Sequence, residues 1–245
     1  MQTENYFCSL QKILDNVLHG QLNSIRQAAD IFAEAIKQKH RIYAFGTNHA
    51  GLIALEMFYR TGGLVTVNPI RAPGLMLEAV PVTLTTDLER MPDYGRSLIN
   101  RCGLRKNDVL FIHSVSGRNA VSIDAALHAR ELGAYVIALT NMKTTQKVAS
   151  RHASGKNLYE VSDLVIDNCG SFGDAELSIQ GLAEKFAPTS TVIGAAIVNA
   201  VVAETIDSLL KQDIVPPVFI SSNVAGGDEH NQRVLDIYQD SITYL

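Results

Sequence analysis

The sequence predicts an α/β protein: a doubly wound, mainly parallel five-stranded sheet with helices on both faces. Three observations carry this. Five short apolar runs, rich in β-branched residues, are each bounded by glycine or polar turn residues. Segments of about ten residues or more with helical apolar spacing separate most of them. Strand and helix alternate along the chain, which implies right-handed βαβ crossovers and a parallel sheet. At 245 residues and 47% hydrophobic content the chain can bury a large core. No repeat, low-complexity stretch or long linker divides it. A single domain over 1–245 is expected, with an N-terminal helical arm (about 1–39) and a C-terminal tail (about 212–245).

In order, residues 7–17 and 22–37 read as helices, with Leu22, Ile25, Ala29, Ile31 and Phe32 forming a buried stripe. RIYAFG (41–46) is the first strand, and 52–61 the helix after it, stopped by Gly62 and Gly63. LVTVNPI (64–70) is the second strand. Residues 71–92 are less regular, with a short helix over 75–80. A helix over 94–102, closed by Gly103, leads to the third strand, KNDVLFIHS (106–114). A helix over 120–132, ended by Gly133, leads to the fourth, AYVIALT (134–140), and SDLVIDN (162–168) is the fifth. A long apolar helix spans 189–211, VPPVFISSN (215–223) is a possible extended segment, and a last helix covers 228–238.

Composition removes several function classes. A formal net charge of −4 argues against a nucleic-acid partner, but leaves an anionic small ligand open, because local donors outweigh a mild global charge. Cys8, Cys102 and Cys169 are isolated, with no CxxC pair, so neither a metal nor a redox cofactor is expected, and a reducing compartment fits. The first ten residues lack a basic stretch followed by an apolar core, and the apolar run 192–203 contains Asn199 and is closed by Glu204. A cytoplasmic protein without a membrane partner is the expectation.

In a doubly wound sheet, ligands bind outside the carboxyl ends of the strands. The loops there are FGTNHAG (45–51), IHSVSGRNA (112–120) and TNMKTT (140–145). They are rich in hydroxyls and amides, yet none has a P-loop lysine or a complete GxGxxG. Such chemistry suits a phosphate monoester held by hydroxyls and backbone N–H groups. The competing reading is that Thr47, Ser116 and Asn119 merely cap helices. Convergence of three such loops on one sheet edge weighs against it.

The segment VLFIHSVSGRNAVSIDAALHARELGAYVIALTN (109–141) resembles the SIS (sugar isomerase) family of phosphosugar-binding domains. It carries that family's strand, its S-x-S-G-x-[TNS] loop, a helix ending in LGA and a strand ending in threonine. YAFGTNHAG (43–51) matches the family's first glycine-containing loop, and the resemblance runs from Arg41 to about Leu210. It implies a flavodoxin-like three-layer sandwich. By position, Ser114, Ser116 and Asn119 would grip the phosphate, with Gly117 allowing close approach and Arg118 and Thr140 beside them. Gly46, Thr47 and Asn48 would meet the sugar end. APTSTVIGA (187–195) is similar to the start of the last long helix in N-acetylmuramic acid 6-phosphate etherases, which implies that Thr189, Ser190 and Thr191 face the ligand. Simple capping of that helix explains these three equally well. The resemblance also implies a homodimer or tetramer.

Isomerisation of a sugar phosphate needs a base to move a proton between adjacent carbons, and etherase-type elimination needs a carboxylate. Glu56, in the helix after FGTNHAG, is the first candidate; His49 lies in the loop itself. GGDEHN (226–231) adds Asp228 with Glu229 and His230. Against these, Glu56 is equally a salt-bridged helix residue, Asp228 and Glu229 suit a helix start, and His113 reads as a core histidine. Phosphoheptose isomerases carry a glutamate a turn later and a histidine in the last long helix, where this chain has Tyr59–Arg60 and Asn199–Ala200. The etherases carry a second glutamate after SGR, where this chain has Asp124 and His128. Expected, therefore, is a phosphosugar-binding protein that isomerises or eliminates on a phosphorylated sugar or amino sugar. The alternative is a non-catalytic sugar-phosphate sensor.

Overall fold

The computed structural model describes residues 1–245. Its main sheet has five parallel strands, β1 (Ile42–Gly46), β2 (Val67–Pro69), β3 (Val109–His113), β4 (Tyr135–Thr140) and β5 (Leu164–Asp167), in the order β2-β1-β3-β4-β5. Pairing sets Gly46 against His113, His113 against Leu139 and Thr140 against Asp167. The carboxyl ends of β1, β3, β4 and β5 are therefore level, and their loops leave from one edge.

Nine α-helices surround the sheet: α1 (Gln2–Gly20), α2 (Leu22–Lys37), α3 (Asn48–Glu56), α4 (Leu84–Glu89), α5 (Tyr94–Cys102), α6 (Ala120–Glu131), α7 (Met142–Thr145), α8 (Ser190–Leu210) and α9 (Gly227–Ile237). Successive strand residues alternate between two apolar layers, as the pleat requires. Phe111, Ile137 and Leu139 join Phe32 and Ile36 of α2 and Ile193 and Ile197 of α8. Leu110, Ile112, Val136 and Ala138 join Ile99 of α5 and Val121 and Ala125 of α6. Both faces being covered, β1 and β3 are buried at every position. Phe32 and Phe111 meet edge to face at 6.3 Å.

The N-terminal helices are part of this core. Helix α2 lies along α8, and α1 buries Leu10, Ile13 and Val17 in the same layer. Helix α8 is long and apolar enough to cross a membrane by composition alone, and 44% of its most apolar window is buried in the chain. The tail returns to β2: buried Asn68 donates to the carbonyls of Ile42, Thr66 and Ser241 and accepts from the Thr243 amide.

Several elements differ from the sequence reading. Helix α3 starts at Asn48 and ends at Glu56, instead of spanning 52–61, because Asn48 adopts a left-handed φ of 51° and turns the chain straight into the helix. The second strand shrinks to Val67–Pro69, since Leu64 makes an antiparallel bridge with Val218. That bridge is all the ladder pairing that 215–223 forms. No helix forms over 75–80, whose last residue precedes Pro81 and is disfavoured from helical dihedrals; the helix is α4, beyond the proline. A short antiparallel hairpin, β6 (Ala175–Leu177) with β7 (Phe186–Pro188), and the single-turn α7 were not expected.

Candidate functional site

The loop after β3 is built by its own backbone. The Ser114 amide donates to Leu139 O and the Thr140 hydroxyl donates to Ser114 O at 2.7 Å, clamping the end of β3 to β4. Ser114 Oγ accepts from the Gly117 amide at 3.3 Å. Gly117 sits at φ 60°, and a Cβ there would lie 2.9 Å from Thr145 Oγ1 and 3.3 Å from Thr140 Oγ1. Only glycine lets the turn close so tightly over those hydroxyls. Gly46 is similarly constrained, for a Cβ there would meet Ala50 O at 2.5 Å.

The capping reading fails for Thr47 and Asn119. They occupy the N-cap positions of α3 and α6, yet neither side chain makes the cap hydrogen bond. Both turn to Glu89, the last residue of α4. The Thr47 hydroxyl donates to one carboxylate oxygen of Glu89, and Asn119 Nδ2 donates to the other at 3.0 Å. Asn119 Oδ1 in turn accepts from Arg151 Nη1 at 3.0 Å, and the Arg151 amide donates to Arg118 O at 2.8 Å. Ser116 is half-buried, and Arg118 has a buried Nε without an acceptor. The Arg151 guanidinium is held below its ordinary pKa, first by partial desolvation and then by repulsion from Arg118 and Arg90, with Glu89 opposing. Sequence reasoning missed Glu89, Arg90 and Arg151. The one signal available was the charged LER triplet (88–90) in a segment read as irregular.

Further residues of these loops, among them the expected Thr189, Ser190 and Thr191, lie around the neighbouring strand ends. Asn141 caps α7 and donates to Asn168 Oδ1 at 2.8 Å. Thr189 is buried with its hydroxyl unpartnered, near Gly170 and the Asn141–Asn168 pair. The Ser190 hydroxyl donates to Asp174 Oδ2 at 2.7 Å, while Asp174 Oδ1 accepts the Thr189 and Ser190 amides. Ser190 is thereby tied to Asp174 at the start of α8, and it is Asp174 that takes the first amides, since the N-cap residue Thr189 makes no side-chain cap hydrogen bond. Thr191 is half-buried on the first turn of α8 and Asn48 on that of α3; His49 is exposed beside Asn48. His113 lies at the end of β3, 1% exposed, with Nδ1 set 3.2 Å from Ala50 O. Burial pushes its pKa down to about 4, against the weaker opposing effects of that carbonyl and Asp174.

The acid–base candidates are dispersed. Glu56 ends α3, so a rise of about 1.5 Å per residue carries it about 12 Å along the helix from Asn48. There it pairs with Arg60 and accepts from Asn199 Nδ2 at 2.9 Å. Glu229 and His230 open α9 beside the Leu64–Val218 bridge, and His230 Nε2 lies 3.0 Å from Val218 O. None of these groups hydrogen-bonds the loop after β3, and Glu89 is the carboxylate that reaches it. No three His, Cys, Asp or Glu side chains converge as a metal site. The cavity of about 550 Å³ between Gln38, His40, Arg130 and Tyr135 lies at the amino-terminal ends of β3 and β4, away from the polar loops, where Thr47 and Asn119 hold the Glu89 carboxylate.

Comparison with known proteins gives a consistent picture. A SIS domain family model matches residues 5–141. A UPF0309 protein of Shouchella clausii is 45% identical over 242 residues, covering 99% of this chain and 98% of its own. Among solved structures, a phosphoheptose isomerase from Francisella tularensis superposes with a TM-score of 0.54 at 17% identity, over 83% of this chain and 96% of its own. Phosphoheptose isomerase from Neisseria gonorrhoeae does so with 0.54 at 19%, over 84% and 97%. At these identities the structural likeness establishes the shared fold.

Proposed function

Because the chain belongs to the SIS domain family, and within it to the UPF0309 proteins, we propose that it binds a phosphorylated sugar or amino sugar at the carboxyl ends of β1, β3 and β4 and isomerises it or eliminates from it. The observation that carries this is the use made of Thr47 and Asn119. Both sit where a hydroxyl or amide would ordinarily cap a helix, and both hold an anionic carboxylate instead. Such groups, with the Ser114–Gly117 turn and the backbone N–H groups at the start of α6, are the donors a phosphate monoester requires.

On this reading the phosphate settles in the turn over Ser114, Ser116 and Gly117. Glu89 is then the base at the sugar end. It would take the proton from a carbon next to the carbonyl and return it to the neighbouring carbon, or leave it off as a leaving group departs. Glu56, Glu229 and His230 have no such access within a protomer. The uncovered apolar side chains Phe7, Leu14 and Leu18 of α1 and Val192 of α8 favour a homo-oligomer. A non-catalytic sensor is the second reading, favoured by the absence of any other acid–base side chain hydrogen-bonded into the loop.

Deuterium incorporation from D₂O into sugar phosphates, followed by NMR, separates the two. Wild type is expected to exchange the proton next to the carbonyl, and Glu89→Gln to slow exchange by about 10²–10⁴-fold with binding kept. Unaltered exchange in Glu89→Gln removes Glu89 from the role. Binding by wild type with no turnover of any kind supports the sensor.

A further inference from the structure

Three arginines gather at the mouth of the loop, and none has a carboxylate partner. The chain's arginine ion pairs involve Arg26, Arg60, Arg96 and Arg130. Arg90 follows Glu89, which reaches Asn119; Arg118 precedes Asn119; and Arg151 hydrogen-bonds the far side of the same amide. Glu89, the one carboxylate among them, is held by the neutral Thr47 and Asn119. Like charges brought together repel, the single Glu89 carboxylate opposes only part of that repulsion at Arg151, and the buried Nε of Arg118, without an acceptor, carries an unreturned desolvation cost. Arg151 is nevertheless fixed in place. Its amide is tied to Arg118 O, and the next residue, His152, is anchored at 2.9 Å to buried Asp124 on α6. The hydroxyls, amides and backbone N–H groups of the loop already suffice for a phosphate, so the guanidiniums are additional to it.

We infer that the ligand carries a carboxylate as well as its phosphate, and that Arg118 and Arg151 receive that carboxylate beside the phosphate loop. This rests on the phosphosugar reading above and narrows it to phosphorylated sugar acids. The guanidinium fork matches a carboxylate in two parallel hydrogen bonds. Asn119 Nδ2 already holds the Glu89 carboxylate on the side of the amide away from Arg151, so the loop's donors accept a carboxylate. His152 and Asp124 are positioning residues for Arg151.

Calorimetric titration at fixed ionic strength, with pairs of ligands differing in one carboxylate, tests it: glucose 1-phosphate against glucuronic acid 1-phosphate, and open-chain glucitol 6-phosphate against 6-phosphogluconate. Wild type is expected to bind at least one acid tenfold or more tighter than its partner. In Arg151→Gln, an exposed position, and in Arg118→Gln that ratio is expected to fall below twofold. A wild-type ratio under twofold in both pairs overturns the inference, as does a ratio that survives both substitutions. Failure of all four ligands to bind overturns the inference, and sinks the phosphosugar reading with it only where amino-sugar and heptose phosphates fail as well; binding without discrimination sinks the second anion alone.

Discussion

His113 is the residue whose protonation the fold opposes most plainly. It ends β3 almost fully buried, and burial lowers its pKa from 6.5 to about 4. The unfolded chain therefore binds a proton between these values that the folded chain refuses. Stability from this group is fully present above pH 6.5 and is lost as the pH falls toward 4. Between pH 7 and pH 5 the loss from this residue is about 2 kcal/mol. Urea denaturation at the two values checks this, and His113→Phe is expected to remove that share of the pH dependence. At this scale the sequence was legible where contacts are local: Ser114–Asn119 and Thr140 lie together because one strand–loop–helix unit and its neighbour carry them. It was silent on Glu89 and Arg151, whose bonds to Asn119 span 30 and 32 residues. Glu56, chosen for its residue type close to a loop, stands at the far end of α3, where the helical rise sets it away from the strand ends.

Among the elements, α8 shows how a helix start can be stabilised from outside. Asp174, just before β6, accepts two amides and a hydroxyl at its first turn, placing negative charge at the positive end of the helix dipole. Asp174→Ala is expected to cost about 1–2 kcal/mol, measured as a lowered thermal midpoint. Helices α5 and α6 make the converse point. A Cβ on Gly95 would come within 2.0 Å of Val121 O, so these helices touch backbone to backbone. Gly95→Ala is expected to destabilise by about 1–3 kcal/mol through forced separation. Long periodic helices with glycine stops were readable, as in Tyr94–Cys102 followed by Gly103 at φ 75°. Six-residue α4 and three-residue β6 and β7 were not, because they are too short for a period to register and are held by tertiary contacts.

For the whole molecule, the level carboxyl ends of four parallel strands bring the polar loops to one edge. A chain with net charge −4 concentrates three unpaired guanidiniums at that edge, so the local field there opposes the global one. The architecture was read correctly from alternation and apolar runs, since parallel strands buried on both faces leave an unbroken signature. How the tail folds back on β2 was not, because the Asn68 contacts to Ser241 and Thr243 join residues more than 170 apart. The central claim is that the turn over Ser114–Asn119 binds phosphate on a sugar. Its most direct test is the thermal midpoint of wild type and Ser116→Ala with glucose 6-phosphate, glucosamine 6-phosphate, N-acetylglucosamine 6-phosphate and sedoheptulose 7-phosphate, each beside its unphosphorylated sugar. At least one phosphosugar is predicted to stabilise wild type, by about 2.7 kcal/mol at 100 times its Kd, with the free sugar inert and the shift reduced in Ser116→Ala. Equal midpoints with and without every phosphosugar, or the same shift in Ser116→Ala, would contradict the account.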